Sequence, residues 1–415
     1  MSTPRTNWSG NVTYRAPRFA RPRTLDELAE IVTGADRVRV LGTGHTFTGI
    51  ADSPDVQLSL AELPAEIEVD PAGTVAISGP VHYAELTRVL HEHGLALANL
   101  ASLLDLSVAG AISTGTHGSG SRTRGLGSAV RALEFLTADG EIRRLRDGDP
   151  DFPGAVVGLG ALGVLTRLEL AVEPAFDVTQ HVYAGLPWPV VGAELDALLA
   201  SGYSVSLFTD FDGTGVRQVV VKERGGHDAA LFARLGSALV DGPRHPMAGG
   251  PTENVTAQAA PGPAHERLPH FRAGRTPSSG AEIQSEYLVD ARHAAAAVEA
   301  LQRAAPAFAP VLLVAELRSV AADELWLSPA WRRDSLAVHF TWRRDQAGVA
   351  AALPALEAAL APFDARPHWG KVWAMGADVL AERYPRLADF RALAERWDPQ
   401  HRFRNEFLDE RVFGT

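Results

Sequence analysis

The sequence predicts an α+β protein of two domains, with a C-terminal segment that returns to the first. Three observations predict it. Short strands and hairpins dominate, and few strand–helix–strand units of the kind that build a parallel sheet occur. The 415 residues exceed what one hydrophobic core usually supports. The texture changes after Pro174, which sets expected units at 1–173, 174–365 and 366–415, the second a cap built on an antiparallel sheet.

The elements follow in order. Thr24-Leu25-Asp26-Glu27 reads as a capping box opening a helix over Leu25 to Val32. Val38 to Leu41 is a brief strand that runs into Gly42-Thr43-Gly44-His45-Thr46-Phe47. Glu66 to Val69 and Thr74 to Ser78 pair across Pro71-Ala72-Gly73. Tyr83 to His93 is an amphipathic helix closed by Gly94. Arg131 to Leu136 and Glu141 to Leu145 flank the hairpin residues Ala138-Asp139-Gly140, and Val164 to Val172 alternates as a strand. Beyond Pro174, strands are expected at Tyr203 to Phe208, Val216 to Val221, Glu282 to Val289, Val311 to Val320 and Ser335 to Trp342. Helices are expected at Ala291 to Ala304 and Gly348 to Ala361, and a Pro/Gly-rich loop from about Gly242 to Gly280.

Composition excludes several classes. The net charge is −11, and no basic block exists to neutralise phosphates, so nucleic acid is not an expected partner. No apolar run reads as a membrane span, and Met1 to Gly10 lacks the apolar core of a secretion signal, which leaves the cytoplasm as the expected compartment. With no cysteine, disulfides, thiol catalysis, Cys-ligated zinc and iron–sulfur clusters are excluded. No metal site stands out: His91 and His93 beside His82 do not share a helical face. Only Lys222 and Lys371 among 39 basic residues are lysine. Codon bias toward arginine accounts for most of that skew.

The glycine loops are the first functional pointer. Gly42-Thr43-Gly44 follows a strand, but the third glycine of a Rossmann loop would fall at Phe47, and no helix follows. Alone, it is an ordinary turn. Gly110-Ala111-Ile112-Ser113-Thr114-Gly115-Thr116-His117-Gly118-Ser119-Gly120 adds a second stretch of small residues and hydroxyls, and Gly158-Leu159-Gly160 a third. Such loops bring backbone N–H groups close to a diphosphate. Three separated loops suit one extended ligand, and a dinucleotide has that shape.

This set resembles the vanillyl-alcohol oxidase superfamily of flavoproteins, with its two-subdomain FAD-binding fold. The first two loops, together with His368-Trp369-Gly370-Lys371, look like its sugar-lactone and alditol oxidase branch over nearly the whole chain. The resemblance implies FAD attached covalently through His45. It also implies that Leu41, Gly42, Thr43, Gly44, Thr46, Ser102, Ser107, Gly110, Ser113, Thr114, Gly115, Thr116 and Val164 contact the cofactor. His117 is read as structural within its loop.

The substrate side rests on two strands. Period-two alternation puts Glu316 and Arg318 on one face of Val311 to Val320, and His339 and Thr341 on one face of Ser335 to Trp342. Singly, these are a surface ion pair, a core histidine and an ordinary strand threonine. Lys371 sits among aromatic residues, where an ammonium is costly without an anionic or dipolar partner. Lys222 reads as a solvated strand-end charge without a role. The resemblance makes Glu316, Arg318, His339, Thr341 and Lys371 active-site positions, with Ser102 touching both substrate and flavin.

The expected reaction is oxidation of the terminal hydroxyl of an alditol such as xylitol or sorbitol to the aldose, with O2 reduced to hydrogen peroxide. His339 is the expected base. Arg318 and Lys371 would bind the reacting oxygen and stabilise its charge, Glu316 would orient Arg318, and Thr341 and Ser102 would bind further hydroxyls. An aldonolactone oxidase or dehydrogenase is the alternative within the branch. A noncatalytic carbohydrate-binding protein is the alternative outside it. No partner beyond a small polyol and O2 is expected.

Overall fold

The computed structural model describes residues 4–275 and 278–415. The first unit begins with β1 (Arg18–Ala20), β2 (Val38–Val40) and β3 (Val56–Leu58), three parallel strands in the order β1-β3-β2. A helix over Leu25–Gly34 covers them. The Thr24 hydroxyl accepts from Glu27 N–H, while the Glu27 carboxylate reaches Arg23 N–H, one residue before the capping-box position. An antiparallel five-stranded sheet follows, from β4 (Glu66–Asp70), β5 (Thr74–Ser78), β7 (Val130–Leu136), β8 (Ile142–Arg146) and β9 (Val164–Ala171), in the order β4-β5-β9-β7-β8. A short ribbon joins β6 (Leu95–Ala96) to β10 (Glu173–Pro174).

The second unit is an antiparallel sheet of eight strands. They are β11 (Asp177–Pro187), β12 (Ser204–Thr209), β13 (Gly215–Glu223), β14 (Gly262–Pro263), β15 (Glu282–Asp290), β16 (Leu312–Val320), β17 (Ser335–Arg343) and β18 (Arg366–Pro367). The order is β14-β11-β13-β12-β16-β17-β15-β18. The sheet opens three residues after Pro174 and takes in Arg366 and Pro367, just past the expected boundary.

Its two faces differ in kind. Val219, Val221, Leu207, Leu317, Val338 and Phe340 point to one side and pack under helices Trp188–Ala200, Ala294–Phe308 and Gln346–Leu360. The alternate residues point the other way: Lys222, Ser206, Arg318, Glu316, His339, Thr341 and Glu286. All are buried. Strand alternation therefore sets an apolar core on one face and a polar wall on the other.

Sequence patterning did not single out β11 or helix Trp188–Ala200, because Thr179, Gln180 and His181 blur the alternation. The segment expected as a loop over 242–280 carries short elements at Thr252–Asn254, Gly262–Pro263 and Ala264–Arg267; its residues 276 and 277 lie outside the described residues, as do residues 1–3 of the N-terminal stretch. One reading is corrected. Gln346–Phe363 is a helical run of 18 residues with mean hydropathy 1.2, long and apolar enough to count as a candidate span by length and composition. Here its Val349, Leu353, Leu356 and Leu360 join the core beneath the sheet.

The C-terminal segment packs on the first unit. Val38 N–H donates to Arg402 C=O at 2.7 Å, and Phe403 is buried in the cluster with Leu28, Val32 and Val56. The Arg39 guanidinium, fully enclosed, donates to the carbonyls of Ile50, Leu159, Gly160 and Phe403 at 2.7–2.9 Å. Asn405 donates to the carbonyls of Gly49, Ile50 and Asp52, and its Oδ1 accepts from Leu408 N–H. Asn405→Ala strips all four bonds; the Ile50 and Gly49 carbonyls keep Arg39 and the Asp52 N–H, while the Asp52 carbonyl loses its donor. The substitution should lower unfolding free energy in urea by about 2–3 kcal/mol.

Candidate active site

Both units line one elongated cavity of about 340 Å³. Its walls at one end are the three small-residue loops. A Cβ on Gly42 or on Gly110 would lie 2.6 Å from Ser107 Oγ, so glycine at both positions leaves room for that hydroxyl between the first loop and the second. The third loop turns through Leu159 and Gly160, both at positive φ, with Arg39 holding both carbonyls. His45 stands half-buried on the wall. Its ring stacks on Trp8 at 5.4 Å, and Nδ1 lies 3.0 Å from Thr43 Oγ1. Burial pulls its pKa down to about 4, so the imidazole is neutral at pH 7.

The other end is the polar face of the eight-stranded sheet. Strand register brings Glu316 of β16 and Glu286 of β15 opposite His339 of β17 from either side. Glu286 is 1% exposed and is the centre of the network. It accepts from Arg318 Nη2 at 2.7 Å and Lys371 Nζ at 2.6 Å, and His117 Nε2 lies 3.4 Å away. Burial alone would raise its carboxyl; Lys371 and Arg318 outweigh that and hold it well below the ordinary range. Lys371 also reaches His339 Nδ1 at 2.6 Å, and His339 Nε2 lies 3.1 Å from Thr341 Oγ1. Burial first, then the Lys371 charge, lowers the His339 pKa and keeps that ring neutral. Burial lowers the Lys371 pKa as well, with Glu286 opposing. A neutral ring that accepts from Lys371 at Nδ1 carries its proton on Nε2, toward Thr341; the hydrogen-bond network makes this assignment.

A second carboxylate lies beside the first. Glu316 Oε1 pairs with His270 Nε2 at 2.9 Å, while Arg318 is 3.8 Å from Glu316 Oε2. Arg318 Nη1 reaches Ser102 Oγ at 3.3 Å, and Arg318 Nε is a buried donor with no hydrogen-bond partner among the described residues. Glu286 and Glu316 thus balance Arg318 and Lys371, two charges against two.

The structure brings Glu316, Arg318, His339, Thr341, Lys371 and Ser102 to one end of the cavity, and Leu41, Gly42, Thr43, Gly44, His45, Thr46, Ser107, Gly110, Ser113, Thr114 and Thr116 to its walls. Two residues lie off the wall. Val164 points into the core with Leu28 and Val32, its neighbour Leu165 taking the wall position by strand alternation. Gly115 faces Pro329 and Val157.

Three roles are corrected. Glu286, not Glu316, makes the short bond to Arg318. Lys222 is not solvated: it is 1% exposed and donates to the carbonyls of Arg267 and Pro269, with burial pulling its pKa down to about 7. Those carbonyls lie in the segment just before His270, so Lys222 anchors the chain that carries this ring to Glu316. His117 is more than loop scaffold, since its Nε2 faces Glu286 from the cavity wall. Sequence reasoning missed Glu286 and His270. Glu286 was readable: Gln284 and Glu286 alternate within an expected strand just as Glu316 and Arg318 do.

The wall residues fit FAD. Glycine-spaced close approach, hydroxyls on Ser107, Ser113, Thr114 and Thr116, and a cavity continuous from these loops to a charged polar face suit a long, diphosphate-bearing cofactor with its reactive ring at the polar end. Known proteins agree. Residues 16–146 match the FAD binding domain family, and residues 280–411 match the D-arabinono-1,4-lactone oxidase family. The chain is 51% identical to the alditol oxidase of Streptomyces sp. (strain IKD472 / FERM P-14339), over the whole of both chains. It is 29% identical to the L-gulono-1,4-lactone dehydrogenase of Mycobacterium tuberculosis, again over the whole of both. Cholesterol oxidase from B. sterolicum shares the fold at a TM-score of 0.78 and 16% identity, covering 98% of this chain and 96% of that one. The fold and site define an FAD-dependent oxidoreductase. The chain belongs to the sugar-lactone and alditol oxidase branch of the vanillyl-alcohol oxidase flavoproteins.

Removing the central carboxylate leaves two buried cations without their short partner. Glu286→Gln should cost about 3–5 kcal/mol of stability at pH 7. Because the folded pKa lies below the unfolded 4.5, the carboxylate's contribution is complete above that pH and is lost as pH falls through the folded value. Urea unfolding of wild type and variant from pH 7 to pH 3 should show a constant gap that narrows only below about 4.5.

Proposed function

We propose that this enzyme oxidises the terminal hydroxyl of a straight-chain alditol, such as xylitol or sorbitol, to the aldose, with O2 reduced to hydrogen peroxide. The observation that carries the reading is the polar face itself. Lys371, His339, Arg318, Thr341 and Ser102 offer several donors and one basic nitrogen around a cavity end that a chain of hydroxyls would satisfy. The full-length likeness to the Streptomyces alditol oxidase supports the same substrate class.

Bound flavin would accept a hydride from the alcohol carbon and pass both electrons to oxygen. The protein's share is proton and charge. The reacting hydroxyl inserts at the contact between Lys371 Nζ and His339 Nδ1, accepts from the ammonium, and gives its proton to the imidazole. Arg318 Nε, a donor without a hydrogen-bond partner among the described residues, stabilises the negative charge that develops on that oxygen. Glu286 holds both cations in place. Thr341 and Ser102 bind further hydroxyls, and Glu316 accepts one. The neutral His45 ring, fixed by Trp8 and Thr43, supports a covalent bond to the flavin.

Anaerobic xylitol should bleach the visible flavin band, and air should restore it with one hydrogen peroxide per turnover. Lys371→Ala and Arg318→Ala, folded and yellow, should slow bleaching by about 10²–10³. Near-normal rates would remove these roles. Match of residues 280–411 to a lactone oxidase family favours the second reading, aldonolactone oxidation. A protein that stays yellow with alditols and bleaches with an aldonolactone would establish it.

Acid precipitation tests the tether. The wild-type pellet should stay yellow, and His45→Ala should release its flavin to the supernatant. Release from wild type would overturn covalent attachment.

A further inference from the structure

The face of the eight-stranded sheet turned away from the cavity carries one polar cluster near its β11 edge. His181 lies on β11 and Glu223 ends β13, both on the helix side of the sheet, as the pairing Thr179 with Glu223 and His181 with Val221 requires. Gly225 and Gly226, both at positive φ with open space where a Cβ would stand, curl the chain back so that His227 meets the same carboxylate. Glu223 Oε2 is 2.7 Å from His181 Nε2 and 2.8 Å from His227 Nδ1. The two imidazoles stack at 4.1 Å.

Three features go beyond an ordinary surface pair. Among the described residues, the ion-pair partners of Glu223 are these two histidines; the adjacent Arg224 turns to Glu173 instead. The ligand atoms lie within 4.8 Å of one another, one from each side chain. Tyr183 Oη lies 2.7 Å from His227 Nε2, and its ring stacks on Phe232 at 3.8 Å. That is the outer-shell partner which fixes the ring and tautomer of a metal-bound histidine. The side chains keep 17%, 28% and 11% exposure, enough for an ion and a water to enter.

We propose that His181, Glu223 and His227 bind a zinc-type divalent cation, a two-histidine, one-carboxylate site completed by water. Zinc bonds of about 2.0–2.2 Å need Glu223 Oε2 and each histidine nitrogen to part only slightly from their 2.7 and 2.8 Å. The ion staples β11 and β13 to the Gly225–Gly226 turn. Another group, His117, Glu286 and His368, lies within the same mutual distance. It is a poor rival, because Glu286 there already serves two cations.

The flavin-loaded enzyme, stripped with EDTA and dialysed, should take up one zinc per chain in calorimetric titration with zinc chloride. At a hundredfold excess over Kd the melting temperature should rise by about 3 °C. Glu223→Gln and His227→Ala should each weaken binding at least about tenfold, and Tyr183→Phe, which keeps all three ligands, by about 10–100-fold. Oxidase turnover of Glu223→Gln should match wild type, since the cavity lies across the sheet. Absence of zinc uptake by wild type would show a hydrogen-bonded triad only. Unchanged uptake by Glu223→Gln and His227→Ala would place the ion elsewhere. Either result overturns the proposal.

Discussion

The site depends on one buried anion. Glu286 places a carboxylate between Lys371 and Arg318, two cations that burial would otherwise make very costly. Lys371 in turn faces His339, and the charge it presents helps to keep that ring neutral. Ammonium and guanidinium therefore meet on one carboxylate, with the neutral base beside them. Their protonation states are coupled, and none is independent of the pairing of β15 with β17.

That pairing follows from ordinary sheet physics. Antiparallel strands with one apolar face lock their register, since a one-residue slip would turn Val338 and Phe340 toward the cavity and His339 into the core. The apolar packing under the three helices is thus what positions the chemistry. A second clamp acts from behind: Lys222 holds the carbonyls of Arg267 and Pro269, just ahead of His270, and Ser102 C=O accepts from both His270 and Phe271 N–H.

Much of this was legible in the sequence, and the failures are instructive. Alternation along β16 and β17 put Glu316 with Arg318, and His339 with Thr341, because each pair lies within one strand. Glu286 shows the same alternation within its own strand, but that it meets Arg318 and Lys371, and that His270 meets Glu316, depends on cross-element register that one strand's pattern does not give. Lys222 was misread because Val221 and Glu223 look like a strand end, whereas the shielding comes from the segment at 267–269. The glycine loops pointed to a long cofactor correctly, but which residues face it depended on details such as the Val164 to Leu165 alternation. The β11 histidine escaped notice because its partners, Glu223 and His227, meet it only once the glycine turn has closed.

Arg39 carries a consequence for how the chain is made. Its guanidinium, set on the second strand of the first unit, bonds to a carbonyl 364 residues downstream, at Phe403. During synthesis the arginine can meet Ile50 early and Leu159 and Gly160 later, but its bond to Phe403 must wait for almost the whole remaining chain. The order of translation and the order of completion are reversed: the first domain to emerge is the last to close. Until then its cofactor loops, tethered through the same guanidinium at Leu159 and Gly160, lack their final anchor.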